Sequence, residues 1–155
     1  MNIMRLFIKK VRMNTYNPDT NESFDFWING VLQSKKEIEI LDNLPYDLRN
    51  KENKEIECLL FMVINPLPIE DTAEEELTTL IFDGLYLGEY NLPEKWVIPN
   101  LFKIKYDDTD IFHAVQVDND IFIIAPRNLE YYSVKKGEKF TFEAILFELW
   151  AWEQI

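Results

Sequence analysis

The single histidine, His113, lies in the run Ile111-Phe112-His113-Ala114-Val115, shortly after the carboxylates Asp107, Asp108 and Asp110. A carboxylate beside an imidazole orients the ring and stabilises its charged form, so these residue types could supply a general base and its partner. The apolar residues around His113 are those of a strand, and a strand histidine bonded to a neighbour is the simpler reading. The single cysteine, Cys58, opens the apolar run Cys58-Leu59-Leu60-Phe61-Met62-Val63-Ile64. No base stands near it in sequence to generate a thiolate, so it reads as a small buried hydrophobe. One cysteine cannot form an internal disulfide, and one His with one Cys excludes zinc sites of the usual composition.

Three clusters stand out among the acidic residues: Glu70, Asp71, Glu74, Glu75 and Glu76; then Asp107, Asp108 and Asp110; then Asp118 and Asp120. Hard cations require several converging oxygens, which the second and third clusters could offer together. None has the glycine and distal glutamate of a calcium-binding loop, and turn chemistry alone accounts for Asp at the second and third groups. The four glycines (Gly30, Gly84, Gly88 and Gly137) build neither a phosphate-cradling loop nor a nucleophile elbow. The expectation is a protein that is not an enzyme and carries no metal or cofactor.

Charge narrows the partners. With 16 basic against 28 acidic side chains the formal net charge is −12. Affinity for nucleic acid and for anionic membranes comes from Lys and Arg, so both are poor partners for this chain. A basic protein is what such a field attracts. The residues expected to meet it are Glu70, Asp71, Glu74, Glu75, Glu76, Asp107, Asp108 and Asp110.

The elements that must hold these groups are mostly strands. At 155 residues and 47% apolar content the chain is expected to form one domain over residues 1–155, and its eleven Phe, seven Tyr and four Trp favour pleated surfaces. Strand-like runs cover Ile3 to Met13, Phe24 to Leu32, Glu37 to Leu41, Glu55 to Ile64, Leu101 to Tyr106, Ile111 to Val117, Ile121 to Ala125 and Glu138 to Glu153. Pro66 and Pro68 stop one of them, and Asp118-Asn119-Asp120 marks a tight hairpin. Gly30 suggests a bulge or a bend. Two runs, Leu59 to Ile64 and the second half of Glu138 to Glu153, are apolar at both parities and must be covered on both faces. Within the latter, Phe140, Phe142, Ala144, Leu146, Trp150 and Trp152 share one parity, and Glu148 interrupts that face. A carboxylate there must either meet solvent or be buried and satisfied.

Residues 72–82 carry the one helical signal. Thr72 with Glu75 fits a capping box, Ala73, Leu77, Leu80 and Ile81 share a helical face, and Gly84 would terminate it. A strand through Thr78 to Tyr86 is the competing reading, and Leu85 to Asn100 reads as largely irregular. The predicted fold is mainly β: a single-domain β-barrel or two-layer sandwich of about eight strands with one short helix.

Composition and charge support two functional expectations. The first is a non-enzymatic acidic interaction domain, in one form a cytoplasmic inhibitor or immunity-type protein that neutralises a basic partner. The second is a barrel that binds a small ligand or oligonucleotide in a pocket lined by Trp27, Trp96, Tyr131, Tyr132, Trp150 and Trp152. Self-association into a homo-oligomer through an exposed strand is a third form. The opening residues lack a basic stretch followed by a long apolar one, which reads as cytoplasmic.

Overall fold

The computed structural model describes residues 4–15, 17–20, 22, 24–68, 80–90 and 112–155. Eight strands occupy most of them: β1 (Met4–Met13), β2 (Phe26–Val31), β3 (Glu37–Asp42), β4 (Lys54–Ile64), β5 (Leu80–Tyr90), β6 (Phe112–Val117), β7 (Asp120–Ile124) and β8 (Lys139–Gln154). They form one sheet in the order β1-β2-β3-β8-β4-β7-β6-β5, which closes on itself through the additional pairings β1–β4 and β5–β8. Closure pairs most of the edges that aromatic strands would otherwise expose. Among the described residues no helix is long and apolar enough to cross a membrane.

The antiparallel pair β4·β8 is the spine, running from Ile56↔Gln154 to Ile64↔Ala144. Each of these long strands divides its second edge between two neighbours. That edge of β4 takes β1 along Lys54 to Cys58 and β7 at Phe61. That of β8 takes β5 along Lys139 to Ala144 and β3 at Phe147 and Glu148. Both halves of the sheet therefore close on the same pair, and the apolar stretches of both strands are covered on two faces, by an inner and an outer cluster. On β4, Ile56, Cys58, Leu60, Met62 and Ile64 face an interior cluster to which all eight strands contribute. Leu59 and Phe61 face outward into a second cluster with Phe112, Ala114, Ile123, Ala125 and Trp150.

Simple alternation does not survive along β8. Its ladder with β4 slips where Ala144 and Leu146 face Ile64 and Val63, and again where Leu149 and Ala151 face Leu60 and Leu59. Ile145 and Trp150 are the extra residues, and each bulge reverses the facing of the residues beyond it. Phe142 and Ala144 face the interior before the first bulge, Phe147 and Leu149 after it, while Trp150 joins the outer cluster. Gly30 lies opposite a bulge in the facing strand, between Ile8 and Lys10 of β1.

The expected helix over 72–82 is corrected at its end: Leu80, Ile81 and Phe82 belong to β5, and residues 72–79 lie outside the described residues. Gly84 sits in mid-strand instead of ending a helix, and Leu85 to Tyr90 is strand instead of irregular. The reason is pairing on both edges, to β6 and to β8, which the alternation Phe82, Gly84, Tyr86 serves and a helical face cannot. Glycine is needed at 84 for close approach, because a Cβ would stand 2.5 Å from Val115 Cγ1 and 2.6 Å from Phe142 Cε1. At Gly88 it is the backbone that demands glycine: φ is +82° beside a slip in the β5–β6 register. Gly88→Ala should lower stability by about 1 kcal/mol and the melting temperature by about 2–4 °C, read by thermal unfolding.

Candidate binding groove between strands β3 and β8

The eight acidic residues expected to meet a partner, Glu70, Asp71, Glu74, Glu75, Glu76, Asp107, Asp108 and Asp110, all lie outside the described residues. Asp108 and Asp110, the carboxylates expected beside His113, are among them. The described neighbours of His113 are Tyr86, whose hydroxyl bonds Nδ1 and whose ring stacks on the imidazole at 5.7 Å, and Glu89, its ladder partner. Burial lowers its pKa and Glu89 opposes this, so the ring is largely neutral at pH 7 and bonded to a neighbour within the sheet.

Cys58 is buried in the interior, where desolvation and then the nearby Asp120 push its thiol far from thiolate formation. Asp118 is exposed in the two-residue turn between β6 and β7, whereas Asp120 beside it is fully buried. Neither carboxylate oxygen of Asp120 meets a hydrogen-bond partner among the described residues. Burial raises its pKa to about 6, against the pull of the Gln33 and Ser34 amides in the β2–β3 turn, which favour the charge without closing to full hydrogen-bond geometry. No three His, Cys, Asp or Glu side chains gather as a metal-ligand set among the described residues.

Among the described residues the aromatic side chains expected to line a pocket do not converge. Trp150 is buried in the outer cluster and Trp152 packs against the interior one, while Tyr132 donates to the carbonyls of Asn65 and Leu67. Tyr131 is exposed and Trp96 lies outside the described residues. The interior is filled by side chains, and of the five described, Trp27 lines a groove.

That groove, of about 380 Å³, is a seam in the wall. Strands β3 and β8 run parallel and pair only at Ile40↔Phe147 and Leu41↔Glu148. Continued one step at a time, the same register would join Glu39 to Leu146, Ile38 to Ile145 and Glu37 to Ala144. All six instead line the groove, with Trp27 and Asn29 of β2 and Leu80 of β5. The opening has a local cause. The bulge at Ile145 turns β8 away, and Ala144 gives its second edge to Leu80 of β5.

On the outer face, Glu37 and Glu39 stand two residues apart on β3, so both carboxylates share one side of the strand. Lys9 reaches Glu37 at 3.0 Å and Arg12 reaches Glu39 at 2.8 Å, each through Oε1. Both pairs are about half exposed and so contribute little to stability. Ile145, 53% exposed, supplies an uncovered apolar side chain. The seam escapes a reading of the sequence because Trp27, Glu37 and Ile145 are brought together only by the parallel β3–β8 contact. Alternation in Glu37-Ile38-Glu39 is the one visible sign.

Fold and groove together define a closed eight-stranded β-sheet with a lateral, acid-edged groove. Set against protein-family models, curated proteins and solved structures, the chain matches none of them.

Proposed function

We propose that this protein is a non-enzymatic acidic interaction domain that binds a basic protein partner, with a cytoplasmic inhibitor or immunity-type protein as the specific form. In that form it covers the cationic, nucleic-acid-binding surface of the protein it neutralises. The observation that carries the reading is the net charge of −12 on a chain whose barrel interior is filled by its own side chains. A field of this sign steers cationic surfaces into contact and repels nucleic acid. The acidic run Glu70 to Glu76 and the trio Asp107, Asp108 and Asp110 are the residues proposed to strengthen that field.

A second reading rests on the groove volume of about 380 Å³ beside Trp27, which is within the range that small ligands occupy. The interaction reading is preferred because the groove is open along a strand edge. Purified protein should bind cationic nucleic-acid-binding enzymes at low salt and lose at least about tenfold in affinity at high salt. Titration calorimetry against a panel of such enzymes, repeated with acidic proteins of similar size, measures this. Absence of binding at low salt, or binding indifferent to salt, overturns the reading.

A further inference from the structure

Resting on the interaction reading, we propose that the seam between β3 and β8 captures an extended basic segment of the partner, added as a strand along the free edge of Glu37 to Glu39. The parallel ladder stops after Leu41↔Glu148 and Ile40↔Phe147, so Glu37, Ile38 and Glu39 have no ladder partner on that edge among the described residues. Their other edge is taken by β2, through Asn29↔Glu39, Gly30↔Ile38 and Val31↔Glu37. An unpaired strand edge is a template for a further strand, with main-chain bonds for affinity and alternate side chains for specificity.

The side chains define which segment fits. Glu37 and Glu39 project outward while Ile38 between them is buried. A strand laid beside them places its own alternate residues directly opposite, with Cβ atoms about 4.5–5.5 Å apart. The complementary pattern is a cation, an apolar residue and a second cation. The cations meet Glu37 and Glu39, and the apolar residue sits against Ile38 and the exposed Ile145. Lys9 and Arg12 already show that both carboxylates accept cations, and they bind from the β1 side through one oxygen of each, leaving the seam side approachable. Trp27, on the outer face of β2, offers a ring for the stem or charge of an incoming Lys or Arg.

The probe is a short synthetic peptide alternating Lys and Val, compared with its Glu/Val counterpart and with an equally charged Lys/Pro peptide, which cannot donate to a ladder. Hydrogen exchange read residue by residue should show protection of the amides of Glu37 and Glu39, which point to the seam, and of 145–146 by the Lys/Val peptide alone, the Ile38 amide being already turned toward β2. A Glu37→Lys, Glu39→Lys double variant should weaken that binding by at least about tenfold. Ile145→Lys, at an exposed position, should weaken it independently of those glutamates. Protection elsewhere on the protein, or equal binding of the Lys/Pro peptide, overturns the seam while leaving the basic-partner reading intact. Protection of the same amides that grows with protein concentration and needs no peptide assigns the seam to a second copy of the chain and also overturns the proposal. If no cationic enzyme binds at low salt, it is the interaction reading itself that fails.

Discussion

Replacing Trp150 by alanine should cost about 3–5 kcal/mol of folding stability, the range for removing a large buried aromatic side chain. Trp150 has no accessible surface, although it faces away from the barrel interior. Its ring lies flat on Phe61 with centroids 4.4 Å apart and meets Phe112 edge-on at 5.4 Å. Its carbonyl accepts the hydroxyl of Tyr46, which anchors the loop after β3, and its indole Nε1 lies 3.5 Å from the buried carboxylate of Glu148. The carboxylate that interrupts the apolar run is therefore buried and partnered, on the outer side of the spine. Losing the indole opens a cavity and removes a donor from a buried carboxyl group, two effects that add. Trp150→Phe retains most of the stacking and should cost substantially less. Chemical denaturation of the two variants and the parent, followed by near-ultraviolet circular dichroism, orders them. An alanine variant within about 1 kcal/mol of the parent would show that the outer cluster is an ornament on an independently stable barrel.

That the outer cluster exists was legible in the chain. Leu59 to Ile64 and, Glu148 apart, the second half of Glu138 to Glu153 are apolar at both parities, and a strand with two apolar faces must be covered twice. Which residue faces which layer was not legible. The single parity running from Phe140 to Trp152 is broken by bulges at Ile145 and Trp150, and neither residue type announces a bulge. Alternation is a local signal, whereas a bulge answers to the register of the partner strand. The same limit acts at residues 80–82. Leu80 and Ile81 fit a helical spacing with Ala73 and Leu77, and only the neighbour β8 selects the strand there.

The groove shows a different limit. Charged clusters attract notice when they are contiguous in sequence, as Glu70 to Glu76 are, but a binding groove is contiguous in space. Glu37 and Ile145 are far apart in the chain, and they meet because a parallel pairing two residues long gives way to an opening. Nothing in either segment encodes where the ladder stops. The stop depends on competition for the edge of Ala144, which Leu80 takes.

Asp120→Asn should stabilise the protein by about 2 kcal/mol near pH 7, and the gain should vanish at about pH 4. Asp120 has no accessible surface, its two oxygens are without partners among the described residues, and burial raises its pKa from 3.8 to about 6. Between those values the folded protein holds a proton that the unfolded chain releases. Stability is then full below about pH 4 and is lost as pH rises through about 6. Asp118, exposed in the adjoining turn, adds to the penalty by like charge, and the Gln33 and Ser34 amides offset part of it. An asparagine keeps the shape and an oxygen for those amides but cannot ionise. Asp42 is also buried with a raised pKa, so some slope from that site persists in both proteins. The informative quantity is therefore the difference between parent and variant, taken from denaturant midpoints at several pH values between about 4 and 7.5. A difference that stays constant across that range would show that Asp120 is ionised at no extra cost. Ordered water or the turn amides would then be satisfying it, and the β2–β3 turn would be bound to its charge instead of strained by it.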